Sequence, residues 1–526
     1  MDRHRRAVGA AAAAVPVAFL LVFFLWPLAA ILERSLVVDS ALDLPLDVLR
    51  DETTREVAWF TLWQAAVSTA LTLAAGLPLA WALGRFRFRG RGLVEALVLV
   101  PFVLPTVVVA AAFLALLPDG LERSLWAILL AHVFFNVAVV VRIVGPFWAG
   151  LDPRLDEAAA TLGATPSERR RHVTLPLLAP ALASAASIVF LFCFTSFGVI
   201  VVLGGIRYAT LETEIYNQAA RLFDLRTAAA LALVQLGAVA LTVLVSGRLE
   251  RRLGARLRPP RPRAEPTRRE RVAVGVVVAV SLALLALPLV ALGRRALLVG
   301  NGFGLDHFRS LAEETPALLV APWHAIVNSL LFASLATAIA LAVGIPAAIA
   351  VARGRRAIDA LVMLPLGASA AMLGFGFLLA FDAPPLELRG SAILVPIAQS
   401  LVATPFVVRT LAPALRAADP RLREAAATLG ASPTRVRVLV DLPLLARPLA
   451  VATALAFAVA LGEFGATVFV SRADWPTVPV AIFRFLGRPG EANVGTAMAL
   501  SVVLAALVAT VAIVSERALT GRSATR

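Results

Sequence analysis

Apolar residues in this chain come in long uninterrupted runs, and the short polar stretches between them are dense in arginine. An α-helix needs roughly 20 apolar residues to cross the hydrocarbon of a bilayer. Reading runs of that length as spans predicts about twelve. They lie near residues 8–32, 58–84, 93–117, 125–149, 176–204, 227–247, 272–292, 325–352, 357–381, 391–414, 443–470 and 494–514. The fold class expected is an all-α polytopic membrane protein.

The polar loops orient the spans. Arginine in short loops is retained on the cytoplasmic side, and with Arg3, Arg5 and Arg6 inside, every even-numbered loop is inside too. Those loops hold Arg85, Arg87, Arg89 and Arg91, then Arg169 to Arg171, the basic 248–271 segment, Arg353, Arg355 and Arg356, and Arg435 with Arg437. The first outer loop instead carries seven acids between Glu33 and Glu56 against three arginines. The expectation is a multi-pass membrane protein with both termini in the cytoplasm. Its first apolar run exceeds the roughly 7–15 residues of a signal-peptide core, so it is read as an uncleaved anchor.

Composition sharpens this picture in three places. At 60% hydrophobic and 16% charged, with a mean hydropathy of +0.85, the chain is far from a soluble domain. The net charge of +15 is then a topology signal directed at membrane lipid, and no nucleic-acid partner is expected. Cys193 is the single cysteine, which excludes an intrachain disulfide and a cysteine-rich metal site. All 49 basic residues are arginine. A P-loop places a lysine on the β- and γ-phosphates, so no standard ATP site, and no bound cofactor or metal, is expected in this chain.

The chain also repeats itself. Residues 152–182 and 419–449, offset by 267, are identical at 21 of 31 positions. The same offset pairs Arg142 with Arg409, Phe197-Gly198 with Phe464-Gly465, and Ile215 with Ile482. Neighbouring offsets pair Gly76-Leu77-Pro78 with Gly344-Ile345-Pro346, and Pro101 with Pro365. This is a tandem duplication of a six-span unit. An even number of spans makes the two copies parallel, related by an axis along the membrane normal that leaves room for a pathway between them. The expected division is a first transmembrane domain (1–247), a basic, proline-rich cytoplasmic linker (248–271) and a second transmembrane domain (272–526).

The most similar segments of the two copies are not spans. Each lies on the cytoplasmic side between the fourth and fifth spans, and both contain Glu-Ala-Ala-Ala-Thr-Leu-Gly, at 157–163 and 424–430. Asp152-Pro153 and Asp419-Pro420 predict helix starts, and Gly163 and Gly430 predict helix stops. The product is a helix of about ten residues, roughly 15 Å long. Thr165 with Glu168 then predicts a capping box, which Ser432 with Arg435 cannot make. A short helix, a glycine turn, a basic helix and Leu-Pro entering the next span form a protruding elbow. A surface helix that merely connects two spans would also satisfy one copy.

"EAAATLGATPSERRRHVTLP" (157–176) and "EAAATLGASPTRVRVLVDLP" (424–443) resemble the EAA loop of binding-protein-dependent ABC importer permeases. That pattern sets Glu-Ala-Ala, a glycine, an aliphatic residue and Leu-Pro at fixed spacing. It falls on Glu157, Ala158, Ala159, Gly163, Val173 and Leu175-Pro176, and on Glu424, Ala425, Ala426, Gly430, Val440 and Leu442-Pro443. The resemblance implies a type I importer permease fold with both halves fused, placed in a bacterial cytoplasmic (inner) membrane, and coupling helices that dock on two copies of a separate cytoplasmic ATPase subunit. ATP and Mg would sit on that partner, and an extracytoplasmic solute-binding protein would deliver the cargo. "ILLAHVFFN", "FCFTSFGVIVVLGG", "ATLETEIY" and "LGEFGATVFVSRADWPTVPVAIFRFLG" look most like thiamine permeases. Ferric-iron permeases share the "EFG" and the threonine-rich return loop. The second half has "IAQSLVATPF" where the first has "LAHVFFN", so the resemblance implies no symmetric role for His132 or Asn136.

Polar groups inside spans are costly and usually face protein or a cavity. Glu463, whose positional partner is Ser196 (463 − 267 = 196), attracts a cationic cargo, or else it reaches the outer interface or pairs with Arg472 or Arg484. His132 and Asn136 share a helix face and serve either the pathway or helix–helix hydrogen bonds. Phe194 and Phe197, with Phe464 as counterpart of Phe197, either stack on an aromatic cargo or pack. Two rival classes remain at this stage. A membrane-embedded enzyme lacks any cluster of acids, histidines or a nucleophile with a base, and an ion-coupled secondary transporter leaves the paired elbows unexplained.

Overall fold

The computed structural model describes residues 14–38, 41–205, 207–253 and 264–520. Arg3, Arg5 and Arg6, the first residues of the first predicted span, and residues 254–263 of the predicted linker lie outside the described residues.

The first repeat contains α1 (Ala14–Leu36), α2 (Glu52–Arg85), α3 (Arg91–Val103), α4 (Thr106–Leu116), α5 (Leu125–Ala149), α6 (Pro153–Thr161), α7 (Pro166–Phe194), α8 (Gly198–Leu203) and α9 (Leu225–Leu253). The second contains α10 (Arg268–Leu297), α11 (Pro322–Ala352), α12 (Arg356–Gly367), α13 (Ala370–Ala380), α14 (Leu394–Ala417), α15 (Pro420–Thr428), α16 (Pro433–Gly462), α17 (Thr467–Val470), α18 (Val478–Leu486) and α19 (Glu491–Thr520). Among the described residues ten helices are long and apolar enough to cross a membrane, or twelve if each bent pair is one span. Short helical segments at Leu46–Arg50, Leu211–Tyr216, Asn217–Leu222, Asp306–Arg309 and Ser310–Ala312 and two short antiparallel strand pairs, Val37–Val38 with Ala41–Leu42 and Leu298–Val299 with Gly302–Phe303, lie between the longer helices.

Four predicted spans are not continuous helices. The third is broken between α3 and α4 by a 99° bend, and the ninth between α12 and α13 by a 98° bend. At the first bend Pro105 forces Leu104 into an extended conformation (ψ 141°). At the second, Ala368 is extended and the Ser369 hydroxyl accepts from the Met372 N–H at 3.0 Å, starting a new helix. The fifth and eleventh spans end early, at Phe194 and Gly462, before the short helices α8 and α17. Their starts also differ, because the basic segment of each elbow continues into the span as one helix.

The chain forms two compact units, and neither is one repeat. One comprises Leu46–Glu214 with Val234–Arg295, and the other Met1–Pro45, Ile215–Leu233 and Ala296–Arg526. Most of α10 therefore lies with the first repeat and α1 with the second. The three-part division expected above describes the duplication, whereas these units describe the packing.

In the first unit, Val277, Val278, Leu282 and Leu285 of α10 cover a core of Leu79, Leu83, Val94, Val98, Ala138 and Val141. The end of the linker is fixed in the same unit. Arg87 N–H donates to the Ala264 carbonyl at 3.0 Å, and Ala264 N–H to the Arg85 carbonyl at 3.2 Å. In the second unit, α1 packs on α13: Trp26 and Phe23 meet the Phe381 ring at 5.4 and 5.7 Å, and Pro27 and Ile31 close over Gly376.

Inside each unit the same two contacts recur. Gly76 of α2 faces Val140 of α5, and Gly344 of α11 faces Val407 of α14; a Cβ added to either glycine would lie 2.7 Å from its valine. The Leu211 N–H donates to the Thr61 hydroxyl at 3.0 Å, and the Val478 N–H to the Ser329 hydroxyl at 2.8 Å. These bonds tether the segment that follows each broken span.

Candidate functional site

The two elbows have the same local geometry. Asp152 accepts from the Arg154 N–H at 3.2 Å to start α6, and Asp419 from the Arg421 N–H at 2.9 Å to start α15. Both helices then stop in a Schellman motif. In the first, Gly163 N–H donates to Ala160 C=O and Ala164 N–H to Ala159 C=O, each at 3.0 Å; in the second, Gly430 donates to Ala427 and Ala431 to Ala426, each at 3.0 Å. Such a stop places the residue after the helix in the left-handed region, which favours glycine, and the φ angles are 85° at Gly163 and 84° at Gly430.

The next turn differs as the sequence predicts. Thr165 and Glu168 form a reciprocal capping box. Ser432 accepts from the Arg435 N–H at 3.4 Å and receives nothing back from Arg435. Hydrogen bonds from the Thr165 backbone and hydroxyl hold the Glu168 carboxyl below its ordinary range.

Each elbow enters its span through a π-helical turn, Arg170–Thr174 in α7 and Arg437–Asp441 in α16. Pro176 and Pro443 follow at once. A proline inside a helix removes one N–H and displaces the carbonyl four residues earlier. In α7 the wider turn passes the Leu175 N–H to the Arg170 carbonyl instead.

Glu157, Ala158 and Gly163 are exposed and Ala159 is half-buried; Glu424, Ala425, Gly430 and Ala426 repeat that pattern. Sequence reasoning missed Leu162 and Leu429, each 88% exposed, and Leu155 and Leu422 seven residues earlier, also exposed. Apolar side chains identical in both copies of an otherwise polar helix were the available signal, since an uncovered apolar face usually marks a contact surface. Each elbow also carries one ion pair across its turn: Asp156 with Arg169 at 2.9 Å, and Arg423 with Asp441 at 2.6 Å.

The residues singled out within the spans fall into separate constellations. In the first unit, Ser68 of α2, His132 and Asn136 of α5 and Ser196 after α7 come together. His132 joins Ser68 through Nδ1 at 3.0 Å and Ser196 through Nε2 at 2.9 Å. Asn136 donates to the His132 carbonyl at 3.0 Å and to Cys193 Sγ at 3.5 Å, and Gln64 donates to the Cys193 carbonyl at 3.0 Å. The signal for the α2 partners was present: Thr61, Gln64, Ser68 and Thr72 recur every three or four residues, placing a buried polar stripe on one helix face. Phe194 and Phe197 are buried, and Phe194 stacks on Phe190 at 5.7 Å. Both His132 nitrogens are engaged, so the cluster pins the α7 break to α2 and α5.

In the second unit Glu463 sits in the break after α16. It is buried, so it does not reach an outer interface. Its carboxylate accepts from the Ala466 N–H at 2.7 Å, the Thr467 N–H at 3.0 Å and the Thr467 hydroxyl. Arg472, one of the expected partners, instead holds Asp474 and the Gly390 carbonyl. Phe464 is buried against the Phe483 ring at 5.4 Å. Gln399, at the position of His132 (132 + 267 = 399), is also buried. Among the described residues no group of three or more His, Cys, Asp and Glu is placed to hold a metal ion. Arg142 and Arg409 are exposed on α5 and α14.

Comparison with known proteins bears on the elbows first. A family model described as "Binding-protein-dependent transport system inner membrane component" matches residues 76–259, which include the whole first elbow. The thiamine transport system permease protein ThiP of Brucella abortus (strain 2308) is 29% identical over 497 residues, covering 89% of this chain and 88% of that protein. ThiP of Escherichia coli (strain K12) is 27% identical over 84% of this chain and 85% of its own. The sulfate transport system permease protein CysT of Salmonella typhimurium is 36% identical over 213 residues, 38% of this chain and 76% of that protein. The elbow inside the matched segment, its second copy 267 residues on, and relatives aligned through both place this chain in the family of inner-membrane components of binding-protein-dependent transport systems.

Proposed function

We propose that this chain is the permease of an ATP-driven thiamine importer, with both transmembrane halves in one polypeptide. The observation that carries the reading is the pair of elbows, each presenting Glu-Ala-Ala and an exposed leucine on a helix stopped by the same glycine turn. Cargo follows from the relatives named as thiamine permeases, which align across 84–89% of this chain and hence across both halves.

In this reading an extracytoplasmic solute-binding protein delivers the cargo. Two copies of a cytoplasmic ATPase subunit, which carry the ATP and Mg, close on nucleotide, and α6 and α15 move with them. Glu157 and Glu424, in the first turns of their helices, suit the helix dipole and docking contacts. Ala158, Ala159, Ala425 and Ala426 keep that face small enough for close approach. Because the elbow helix runs through its π turn into the span, displacement of the elbow reaches the membrane-embedded part, and the difference in binding free energy between the two states drives the switch. The N-terminus is cytoplasmic in this arrangement, which puts both elbows on the ATPase side.

His132, Asn136, Ser196 and Phe197, and Glu463 with Phe464, act here by fixing the two breaks in α7 and α16, so they set the shape of the transport route. The test is uptake into proteoliposomes holding the permease, its ATPase and its binding protein, offered labelled thiamine, Fe³⁺ and sulfate in parallel. ATP-dependent accumulation of thiamine supports the reading. Accumulation of Fe³⁺ or sulfate alone overturns the cargo and keeps the coupling, and no ATP dependence with any of them overturns both.

A further inference from the structure

The two coupling helices carry the same seven residues but opposite charges just before them. Asp156 precedes Glu157, and Arg423 precedes Glu424. The two positions correspond under the repeat offset (423 − 156 = 267). A charge reversal at a matched site of so similar a pair of segments ought to leave one copy without its partner.

It does not. Asp156 reaches forward over the glycine turn to Arg169 in the first turn of α7, at 2.9 Å. Arg423 reaches over its own turn to Asp441, at the end of the π turn of α16, at 2.6 Å. Neither elbow contains the other's partner. The counterpart of Arg169 is Val436 (169 + 267), and that of Asp441 is Thr174 (441 − 267). The sign of the helix charge and the place of its partner have changed together, and what both elbows keep is an ion pair across the turn.

The turn gives that pair something to do. A Cβ built on Gly163 or Gly430 meets nothing within 4 Å, so side-chain crowding does not fix the turn. A nine-residue helix held by a Schellman stop has little else to set its angle to the span. Asp156, Arg169 and Asp441 are all partly covered, with 29%, 24% and 23% of their side chains exposed.

We propose that Asp156–Arg169 and Arg423–Asp441 are positioning braces. Each fixes the angle between a coupling helix and its span, so that movement of the ATPase is passed on and not absorbed in the glycine turn. The presence of the brace matters and its polarity does not. A corollary concerns the partner: the ATPase surface reads the shared Glu-Ala-Ala-Ala-Thr-Leu-Gly face and accepts either charge at the position before it. This inference rests on the reading of the elbows as the ATPase docking sites.

The experiment uses the full permease with its ATPase and binding protein in proteoliposomes. Two readouts are followed, the stimulation of ATP hydrolysis by loaded binding protein and the amount of labelled cargo moved per ATP. Asp156→Arg, which sets two arginines against each other, is expected to lower cargo moved per ATP about three- to fivefold, the scale of one partly exposed ion pair. The ATPase should still co-purify. The swap Asp156→Arg/Arg169→Asp is expected to return to within about twofold of the parent, as the coupling energy of a contacting pair predicts. Arg423→Asp and Arg423→Asp/Asp441→Arg supply the same comparison in the second elbow, so misfolding of one set leaves the other to decide. Swaps no better than their single variants, or single variants equal to the parent, overturn the brace. A separate control reads the docking itself: if Gly163→Leu/Gly430→Leu leaves stimulation and uptake unchanged, the coupling reading falls and the brace with it. If that control abolishes stimulation while the swaps fail to rescue, the brace alone is wrong.

Discussion

At the scale of single residues, the glycines that recur between the repeats have a steric cause. A Cβ at Gly76 or Gly344 would come 2.7 Å from the Cβ of Val140 or a Cγ of Val407, closer than side chains tolerate, so α2 with α5 and α11 with α14 approach only because these positions carry none. Gly76→Ala or Gly344→Ala is expected to destabilise the protein by about 1–3 kcal/mol, the usual cost of overpacking, read as a lower unfolding midpoint in detergent. Glu463 offers a sharper test. Its carboxylate satisfies donors that the break in α16 leaves free, so Glu463→Ala should lower stability by about 1–2 kcal/mol, as loss of a capping side chain does. Glu463→Gln keeps an acceptor and should retain most of that stability with little change in the apparent KM for cargo. A severalfold rise in KM with unchanged stability in the glutamine variant would show instead that the charge attracts cargo.

At the scale of elements, hydropathy located the spans and missed their breaks. A window average responds to how apolar a run is, and apart from Glu95 and Asp359 near their starts the runs at 93–117 and 357–381 carry no charged residue. The bends of 99° and 98° come from single positions, Pro105 in one and the Ser369 cap in the other, with Pro101 and Pro365 weakening the helix ahead of each. The elbows were legible for the opposite reason. Asp-Pro starts, glycine stops and the Thr165–Glu168 box are local signals that tertiary contacts do not override, and each appears where it is expected. That box also has a pH signature. The folded-state pKa of Glu168 lies below its ordinary value because Thr165 donates to the charged form. Its contribution is therefore fully present above the ordinary carboxylate range and is lost only as pH falls through the depressed value. Hydrogen-exchange protection of the Arg169 N–H, bonded to the Thr165 carbonyl at 3.0 Å, should be constant from about pH 5 to 8 once intrinsic exchange is corrected. It should fall at lower pH, and Glu168→Ala should lower it across the pH 5 to 8 plateau, with the difference vanishing in acid. Protection that declines between pH 6 and 8, or is unaffected by the alanine, would contradict this account.

For the whole molecule, the repeat and the compact unit are different divisions of the chain. Each unit takes in the first helix of the other repeat: α10 covers Leu79, Leu83, Val94 and Val98, and α1 lies on Phe381 and Gly376. Lipid is as apolar as leucine, so what α1 and α10 contribute is close packing and not removal of surface from water. A chain cut between residues 253 and 264 should therefore give two fragments that are each inserted but poorly folded. Co-expression should restore a complex with nearly the parent's melting temperature. Fragments as resistant to heat and protease alone as together would show that the exchanged helices add nothing.

The sequence by itself determined the membrane class, the duplication, both elbows down to their caps, and the family they resemble. Each of these rests on hydrophobicity, identity at a fixed offset, or hydrogen bonds within a few residues, all of which are properties of a short stretch of chain. Tertiary structure alone decided which helices share a unit and what the buried polar residues meet. His132 and Ser196 are 64 positions apart, and the α10 residues lie from 136 (277 − 141) to 206 (285 − 79) positions from the core they cover. Which of many apolar faces packs on which is set by shape at contact, as between Gly76 and Val140, and hydrophobicity does not distinguish one such face from another.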